Sequence, residues 1–394
     1  MPGKEKNPIP QQVSAAGKNK TIMIVAGEAS GDMHGARLVR EMLKIDPSLN
    51  FYGIGGNRMQ DAGVKLLVNV AETAVVGLTE VISKFGTLFR IIRQAKKSLD
   101  EMKPELVILI DYPDFNLYFV APAAKKRNIK IFYYISPQVW AWRKSRINKI
   151  KRLVDKMAVI LPFEVDTYAV KGFVVDYVGH PLLDLVKPAY SKQESKKIFN
   201  LDESKTTIGL LPGSRVTEVK KLLPEILRAA EILARRIPNV QFVLPLADML
   251  DEKIVAEITS RFSVKVRVIA GHTYEAISCA DLAIVASGTA TLETALLGVP
   301  MIIIYKISPL SYFVGKLFIR IKNIGLVNII AGKTVVPELI QGKANAQSIA
   351  SEAIDILTSV ERKKEMINEL AAIRAKLGKP GAAIRAAQLA LDML

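Results

Sequence analysis

Short apolar runs alternate with amphipathic segments along the first half of the chain. The apolar runs are rich in β-branched residues. They predict strands at Thr21–Ala26, Phe51–Gly53, Leu106–Ile110, Lys130–Ile135, Lys156–Leu161 and Val174–Val178, with helices at Gly35–Lys44 and Leu117–Arg127. Buried strands that alternate with helices indicate a parallel sheet covered on both faces.

The same alternation starts again after Tyr190–Lys205, a charged segment that we interpret as a linker. Further strands are predicted at Thr206–Leu211, Val240–Leu244, Val264–Ile269, Leu282–Val285 and Met301–Ile304, with helices near Val219–Arg236, Leu250–Arg261, Thr289–Leu297 and Asn345–Leu357. The pattern predicts an α/β protein with two Rossmann-like domains, whose parallel sheets face a central cleft. Ligands are expected at the carboxyl ends of the strands.

The predicted domain limits are 20–186 for the N-terminal domain and 187–360 for the C-terminal domain. Residues 1–19 form a polar, proline-containing segment that is expected to be a disordered tail rather than a signal peptide. Residues 361–394 are expected to form C-terminal helices, for which packing back on the N-terminal domain is one of two alternatives. The weakly charged stretch Leu282–Tyr305 is interrupted by Glu293 and Pro300, so we do not interpret it as a membrane span.

The composition argues against disulfides and metal sites and indicates an anionic partner. The chain has 394 residues and a formal net charge of +17, from 55 basic and 38 acidic side chains. A single cysteine, Cys279, excludes a disulfide framework, and three scattered histidines have no metal-ligand spacing, so no metal and no cofactor are expected. The positive charge suggests either nucleic acid or an anionic membrane surface as a partner.

Polar residues directly follow the first strand, in Gly27-Glu-Ala-Ser-Gly-Asp32. Glu28, Ser30 and Asp32 are placed over the edge of the sheet. For Asp32 the alternative is a helix cap, because acids are favoured at a helix N-terminus. The later glycine cluster Gly53-Ile-Gly-Gly56 lacks the full dinucleotide fingerprint and is interpreted as a tight turn, which disfavours a dehydrogenase.

A second acidic loop, Asp111-Tyr-Pro-Asp114-Phe-Asn116, follows the strongest strand of the first half. A carboxylate at the mouth of a parallel sheet is well placed to act as a general base. Asp111 is the favoured base, whereas Asp114 fits better as a cap of the following helix.

Two turns of the second half are suited to binding a diphosphate. In Ile208-Gly-Leu-Leu-Pro-Gly-Ser-Arg215, a strand ends in a Gly213-Ser214 turn, followed by a fixed cation and a helix N-terminus. The second turn is Ser287-Gly288-Thr289-Ala-Thr291, and the helix that it opens carries Glu293, a carboxylate suited to ribose hydroxyls. Together the two turns suggest a nucleotide-activated substrate.

Two segments without acidic residues, Val81–Leu99 and Tyr305–Pro337, combine basic side chains with large apolar ones. Basic amphipathic helices fit a membrane interface, and the contact candidates are Phe85, Phe89, Phe313 and Phe318. The alternative is that these helices pack into the core. Trp140, Trp142 and the basic residues after them also fit single-stranded nucleic acid, but no complete nucleic-acid motif is present, so nucleic acid is not expected as a partner.

Seven motifs together resemble the lipid-A-disaccharide synthase family, and the resemblance runs from about Thr21 to the C-terminus. They are Ala26-Gly-Glu-Ala-Ser-Gly-Asp32, Ile110-Asp-Tyr-Pro-Asp-Phe-Asn116, Ser136-Pro-Gln-Val-Trp-Ala-Trp142, Leu161-Pro-Phe-Glu164, Gly179-His-Pro181, Leu211-Pro-Gly-Ser-Arg215 and Ala286-Ser-Gly-Thr-Ala-Thr-Leu-Glu293. The resemblance implies a metal-independent glycosyltransferase of the GT-B class. Its implied donor is UDP-2,3-diacylglucosamine, and its implied acceptor is 2,3-diacylglucosamine 1-phosphate. The reaction inverts the anomeric centre, forms a β-1′,6 link and releases UDP.

By position, the resemblance implies that Asp111 is the base and Glu28 an essential acid beside it. Arg215 and Asn328 resemble donor-site residues, and only the resemblance points to Asn328. The usual proline before that asparagine is Val327 here, so the shape of this loop is open.

The implied substrates carry acyl chains, so the chain is expected to be cytoplasmic and attached peripherally to the anionic inner face of the inner membrane. The sequence also allows a homodimer. Two alternatives remain: another GT-B enzyme acting on UDP-sugars, such as an epimerase or a peptidoglycan-type transferase, and a nucleic-acid-binding protein.

Overall fold

The computed structural model of the chain describes residues 20–70, 81–140, 145–247, 250–306 and 323–394, without the side chains of 81–85. The predicted tail 1–19, Trp142 and residues 307–322 lie outside the described residues. Within the described ranges the protein is α/β, as the alternation of apolar runs predicts.

The first sheet has seven strands in the order β3-β2-β1-β4-β5-β6-β7. Pairing is parallel between β1 and β2, β1 and β4, and β4 and β5. The strands are β1 Thr21–Ala26, β2 Asn50–Gly55, β3 Val64–Asn69, β4 Leu106–Ile110, β5 Lys130–Tyr134, β6 Lys156–Val159 and β7 Asp176–Tyr177. β1 and β4 lie in the middle and are apolar and almost wholly buried, as expected for strands covered on both faces.

Helices connect these strands. They are α1 Ala29–Ile45, α2 Asn57–Asp61, α3 Val81–Met102, α4 Pro113–Phe115, α5 Ala121–Lys125, α6 Arg146–Leu153, α7 Pro162–Ala169 and α8 Leu182–Leu185. A π-helical turn, Asn116–Val120, lies between α4 and α5. The helix predicted at Leu117–Arg127 therefore begins earlier, at Pro113, and its predicted range contains most of the π turn and all of α5. Apolar spacing does not distinguish a π turn from an α turn.

The second sheet has six strands in the order β10-β9-β8-β11-β12-β13, and its strand pairs are parallel. The strands are β8 Thr206–Leu211, β9 Val240–Leu246, β10 Val266–Ala270, β11 Leu282–Ala286, β12 Met301–Tyr305 and β13 Glu338–Ile340. The helices are α9 Lys192–Ile198, α10 Val216–Arg236, α11 Glu252–Thr259, α12 Thr273–Ser278, α13 Thr289–Leu296, α14 Leu326–Ala331, α15 Ala346–Thr358, α16 Val360–Lys376 and α17 Ala382–Leu391.

Several elements differ from the sequence-based expectation, among them two strands and one helix. The strands β3 and β13 were not predicted, because β3 is half-exposed with a weak apolar pattern and β13 has only three residues. The segment interpreted as a linker contains α9. That helix begins with a capping box between Ser191 and Glu194, a local signal that the charged composition obscures.

The chain forms two compact units. The first takes in the described residues of Met1–Tyr134, Leu153–Lys156 and Ala386–Leu394, and the second those of Ile135–Arg152 and Met157–Arg385. In the second unit, one apolar core joins the buried faces of β8, β11 and β12 to α10, α15 and α16. The domain limits 20–186, 187–360 and 361–394 remain a prediction from sequence.

Candidate active site

Two acids lie at the carboxyl ends of neighbouring strands in the first unit. β1 and β4 pair in parallel with Ala26 opposite Ile110, so Glu28 and Asp111 leave the same edge of the sheet. Glu28 is exposed at the N-cap of α1, and its side chain makes no capping hydrogen bond. Ser30 is exposed in the first turn of the same helix. The parallel register thus brings the two predicted catalytic acids to one edge.

Gly27 lets the two loops approach closely. A Cβ atom at this position would lie 2.2 Å from ring carbons of Tyr112. The Tyr112 ring in turn stacks on Phe115, with 5.5 Å between ring centroids. A glycine is required here because the tyrosine ring occupies the space that any side chain would need.

The Asp111 backbone is strained and held by neighbouring groups. Asp111 and Tyr112 have φ angles of +42° and +46°, in the left-handed region that is costly for residues other than glycine. The carbonyl oxygen of Asp111 accepts a hydrogen bond from Asn116 Nδ2 at 2.7 Å and another from the Tyr133 hydroxyl at 2.6 Å. These two donors fix the turn that presents the carboxylate.

The Asp111 carboxyl group is suited to proton transfer near neutral pH. The pKa of Asp111 is raised to about 6, mainly by burial and secondarily by the nearby Glu28 carboxylate. The backbone N–H of Tyr112 opposes the shift by donating to the ionised form. A base works best when its pKa lies close to the working pH, so this environment favours the predicted role.

The other predicted acids of this unit have different surroundings. Asp32 is buried and accepts hydrogen bonds from the backbone N–H groups of Gly56, Met59 and Arg58, at 2.8, 2.9 and 3.1 Å. It therefore caps α2 rather than its own helix. Asp114 is exposed in α4. The sequence motifs after the first and fourth strands also make Ser30, Asp32 and Asp114 candidates for contact with the acceptor, and this contact remains a prediction.

The predicted diphosphate turns meet in the second unit. A cavity of about 280 Å³ is lined by both turns and by Glu293. The donor candidates at its wall are Gly213, Ser214, Arg215, Ser287, Gly288, Thr289 and Glu293. Parallel pairing of β8 with β11 explains the convergence, because both turns follow strands that end at one edge.

Hydrogen-bond donors are available around this cavity. Arg215 and Gly288 are the N-cap residues of α10 and α13, and neither helix has a side-chain cap, so backbone N–H groups remain for an anion. The Arg215 side chain is 74% exposed and pairs with Glu218, with 3.1 Å between Nη1 and Oε1. Gly213 has a φ of +112°, and a Cβ there would lie 2.6 Å from Glu218 Oε2.

Glu293 lies at the wall of this cavity. Burial raises the pKa of Glu293, while the Tyr274 hydroxyl, 3.2 Å from Oε1, donates a hydrogen bond and lowers it. The carboxylate keeps acceptor capacity beyond this one bond. That suits it to the predicted contact with ribose hydroxyls.

Asn328 is not among the residues that line this cavity. It is fully buried, and its amide Nδ2 donates to Val336 O at 2.8 Å and to Glu338 Oε1 at 2.7 Å. Its Oδ1 accepts from the backbone of Val335 and Val336. These four bonds fold the segment after α14, and a direct contact of Asn328 with the donor remains a prediction.

Of the membrane-contact candidates, Phe89 is described and is 67% exposed on α3. The side chain of Phe85 and the whole of Phe313 and Phe318 lie outside the described residues. None of the described helices is long and apolar enough to cross a membrane. Nor do any three His, Cys, Asp or Glu residues in the described ranges cluster in a way that could hold a metal ion.

Sequence reasoning missed the groups that position the predicted residues. Tyr133 and Asn116 donate hydrogen bonds to the carbonyl oxygen of Asp111. Glu218 pairs with Arg215, and Tyr274 donates to Glu293. Asn116 and Glu218 lay within or beside quoted motifs, so they could have been proposed. Tyr133 and Tyr274 lie far along the chain from their partners, and no local pattern predicts such contacts.

Similarity to known proteins covers almost the whole chain. The family described as lipid-A-disaccharide synthetase matches residues 22–391. The chain is 55% identical to the lipid-A-disaccharide synthase of Syntrophus aciditrophicus (strain SB), over 95% of this chain and 98% of that protein. It is 48% identical to that of Geobacter metallireducens, again over 95% and 98%.

Solved structures share the fold at low identity. A Staphylococcus aureus MnaA–UDP complex has a TM-score of 0.63 and 14% identity over 95% of this chain and 98% of that one. Acinetobacter baumannii MurG has a TM-score of 0.59 and 13% identity over 95% and 99%. These neighbours support two Rossmann-like domains of the GT-B kind, and the family match is far more specific. The chain belongs to the lipid-A-disaccharide synthase family of glycosyltransferases.

Proposed function

We propose that the chain transfers diacylglucosamine from UDP-2,3-diacylglucosamine to the 6-hydroxyl of 2,3-diacylglucosamine 1-phosphate. The products are the β-1′,6-linked disaccharide 1-phosphate and UDP. The observation that carries the proposal is the environment of Asp111, a carboxyl group with a pKa raised to about 6 at the end of a central strand. The full-length family match supports the choice of substrates.

Asp111 is the proposed base. It takes the proton of the acceptor 6-hydroxyl as that oxygen attacks the anomeric carbon, and the bond from that carbon to the UDP oxygen breaks on the opposite face. One displacement of this kind inverts the anomeric centre. The Glu28 carboxylate supports the base by raising its pKa, because a second negative charge nearby makes proton uptake more favourable.

The proposed donor site is the cavity of the second unit. Backbone N–H groups at the start of α10 and α13, together with Arg215, would hold the diphosphate and stabilise the charge that develops on UDP as it leaves. The ion pair with Glu218 keeps the Arg215 guanidinium beside the turn. It occupies Nη1, and other N–H donors of the guanidinium remain for the diphosphate. Glu293 would accept from ribose hydroxyls.

The direct test incubates the chain with both lipid substrates and identifies the product by mass spectrometry. We expect the disaccharide 1-phosphate and UDP in equal amounts. Asp111→Asn should reduce the transfer rate by roughly 10²–10⁴-fold, the usual contribution of a general base, while UDP binding is retained. Asp61→Asn is the matched control, an exposed acid of the same unit that should leave the rate unchanged. Near-normal turnover by Asp111→Asn would remove Asp111 from the mechanism.

A second candidate function is chemistry on a water-soluble UDP-sugar. It is favoured by fold similarity to UDP-N-acetylglucosamine 2-epimerase from Neisseria meningitidis, with a TM-score of 0.61 at 13% identity over 94% of this chain and 98% of that one. Incubation with UDP-N-acetylglucosamine alone separates the two. Our proposal expects no product, and an epimerised or hydrolysed sugar would favour the alternative.

Peripheral attachment to an anionic membrane surface is part of the proposal. It is supported by the net charge of +17 and by the exposed Phe89 on a helix whose first turns have no acidic residue. A phenylalanine that enters the interface gains apolar burial, while nearby Lys and Arg are attracted to anionic lipid. Such attachment would bring the chain to substrates that reside in a bilayer.

A further inference from the structure

A second and larger cavity, of about 560 Å³, lies in the second unit away from the proposed donor site. Its wall includes Thr206, the first residue of β8, and Asp281, which directly precedes β11. The donor cavity lies at the carboxyl ends of these same parallel strands. The two cavities are therefore at opposite edges of the sheet, and the reaction proposed above makes no use of the second one.

Ammonium groups dominate this wall. Lys192, Lys196, Lys205 and Lys363 line it, together with two acids, Asp281 and Glu203. The lysines come from α9, from the loop before β8 and from α16, so the tertiary structure brings together cations that are distant in sequence. Such a concentration of like charge is costly unless anions balance it.

The two carboxylates of the wall do not supply that balance. Asp281 uses Oδ1 to bind Lys192 Nζ at 2.8 Å and Oδ2 to accept from the Thr207 backbone at 2.9 Å. Glu203 forms its ion pair with Lys197, at 3.8 Å, and Lys197 does not line the cavity. Only one of the four ammonium groups thus has a close carboxylate partner within the wall.

The other three lysines keep donors for a ligand. Lys196 is only 6% exposed, and its Nζ contacts the carbonyl oxygens of Glu203 and Lys205 at 3.4 and 3.2 Å. Lys205 forms one loose pair, 3.7 Å from Asp202. The charge of the Lys363 ammonium group lowers the pKa of Asp281, but this amine makes no hydrogen bond or ion pair with the described residues. An ammonium group has three donors, so several remain unused.

We propose that this cavity binds the phosphate or diphosphate group of a small phosphorylated ligand. Phosphate oxygens accept several hydrogen bonds at once and supply the missing negative charge, and lysine binds them as a mobile point charge. The volume is within the range of pockets for small molecules, so it has room for more than a bare phosphate. The site goes beyond the proposed transferase reaction and does not depend on it.

Calorimetric titration of the full chain with inorganic pyrophosphate, with UDP present throughout, tests the proposal. We expect one pyrophosphate per chain, undiminished by UDP. Lys363→Gln should weaken binding about tenfold or more, the effect of losing one charge-assisted hydrogen bond. Lys364→Gln is the matched control, because Lys364 is exposed, adjacent in sequence and absent from the wall. It should bind pyrophosphate as the unmodified chain does.

The phosphate group could belong to a free soluble ligand or to a lipid headgroup, and two binding assays distinguish these sources. Binding of soluble pyrophosphate indicates a free ligand, whereas retention only on phosphatidylcholine vesicles that contain phosphatidic acid, lost in Lys363→Gln, indicates a lipid headgroup. The proposal is overturned by no binding in either arm, by displacement of pyrophosphate with UDP, or by equal weakening in Lys363→Gln and Lys364→Gln. A chain that fails to bind UDP would contradict the proposed function alone.

Discussion

At the scale of single residues, Asp111 combines a half-buried carboxyl group, a neighbouring acid and a left-handed backbone. Each of these costs stability. Burial and Glu28 both disfavour the ionised form, and the backbone strain is opposed by hydrogen bonds from Asn116 and Tyr133. The same features would suit the proposed base to accept a proton, so stability and the proposed chemistry conflict at this position.

The raised pKa predicts that Asp111→Asn stabilises the first unit at neutral pH. In the unfolded chain the carboxyl group ionises near pH 4, whereas in the folded chain its pKa is about 6. The free energy of unfolding therefore decreases as the pH rises from about 4 to about 6. Above that range the ionised carboxylate costs on the order of 1–3 kcal/mol of stability. The variant should have a higher thermal midpoint at pH 7 and no advantage at pH 4. A lower midpoint at pH 7 would contradict the assigned environment.

The same pKa predicts an acid limb in the rate profile. A general base must be deprotonated, so kcat/KM should decrease about tenfold per pH unit below pH ~6 and level off above it. The measurement is the transfer rate at limiting substrate over a range of buffers. A profile that stays flat to pH 5 would exclude Asp111 as the titrating base.

Tyr133 is expected to be a positioning residue, because its hydroxyl donates to the Asp111 carbonyl at 2.6 Å. In Tyr133→Phe the strained turn loses one of its two holding bonds. We expect the loosened turn to expose the carboxylate to more water. We expect kcat to decrease several-fold to about tenfold, with donor KM unchanged. The acid limb should move to lower pH, which mere loss of stability would not produce. Tyr190→Phe, at an exposed tyrosine, is the control.

At the scale of elements, the site depends on two strand-to-helix connections lying against each other. The β1–α1 connection runs through Gly27, and the β4–α4 connection carries Tyr112. The Tyr112 ring lies directly against the Gly27 backbone. The π-helical turn that follows α4 begins at Asn116, which holds the Asp111 carbonyl. Irregular turns of this kind are frequent at functional sites because they redirect a side chain without breaking the helix.

Gly27→Ala should disrupt this contact. The new methyl group would lie 2.2 Å from the Tyr112 ring, so the ring or the Asp111 turn must move, at a cost of roughly 1–3 kcal/mol. We expect a lower thermal midpoint and loss of most transfer activity. Gly342→Ala is the control, because nothing lies within 4 Å of its added Cβ. Equal behaviour of the two variants would show that the close approach does not matter.

At the scale of the whole molecule, the proposed membrane attachment has two physical contributions, charge and exposed apolar surface. A net charge of +17 attracts the chain to anionic lipid over about a Debye length, and this attraction weakens with salt. Apolar insertion adds a component that salt does not screen. The two contributions can therefore be separated experimentally.

We expect the chain to co-sediment with vesicles containing phosphatidylglycerol, less so as salt is increased. Phe89→Ser should lower the bound fraction, and the combined change of Phe85, Phe89, Phe313 and Phe318 to Ser should lower it further. Val174→Ser is the control, since Val174 is 88% exposed but lies outside the basic amphipathic segments. If Phe89→Ser and Val174→Ser behave alike, the α3 segment is not the contact surface.

The sequence by itself determined the α/β class, most of the strands and the family. Apolar runs report burial directly, and unusual motifs such as Ser136–Trp142 and Pro212–Arg215 identify relatives without any coordinates. It also led to the proposal of Asp111 as the base, because a residue directly after a buried parallel strand lies at the edge where ligands bind.

Only the tertiary structure decided how those residues are held. The convergence of the Gly213 and Ser287 turns on one cavity depends on the pairing of β8 with β11. The hydrogen bond from Tyr133 to Asp111 and the lysine cavity at the opposite edge join residues from separate elements. Local pattern contains no information about such contacts, because they are set by the packing of elements that are distant in sequence.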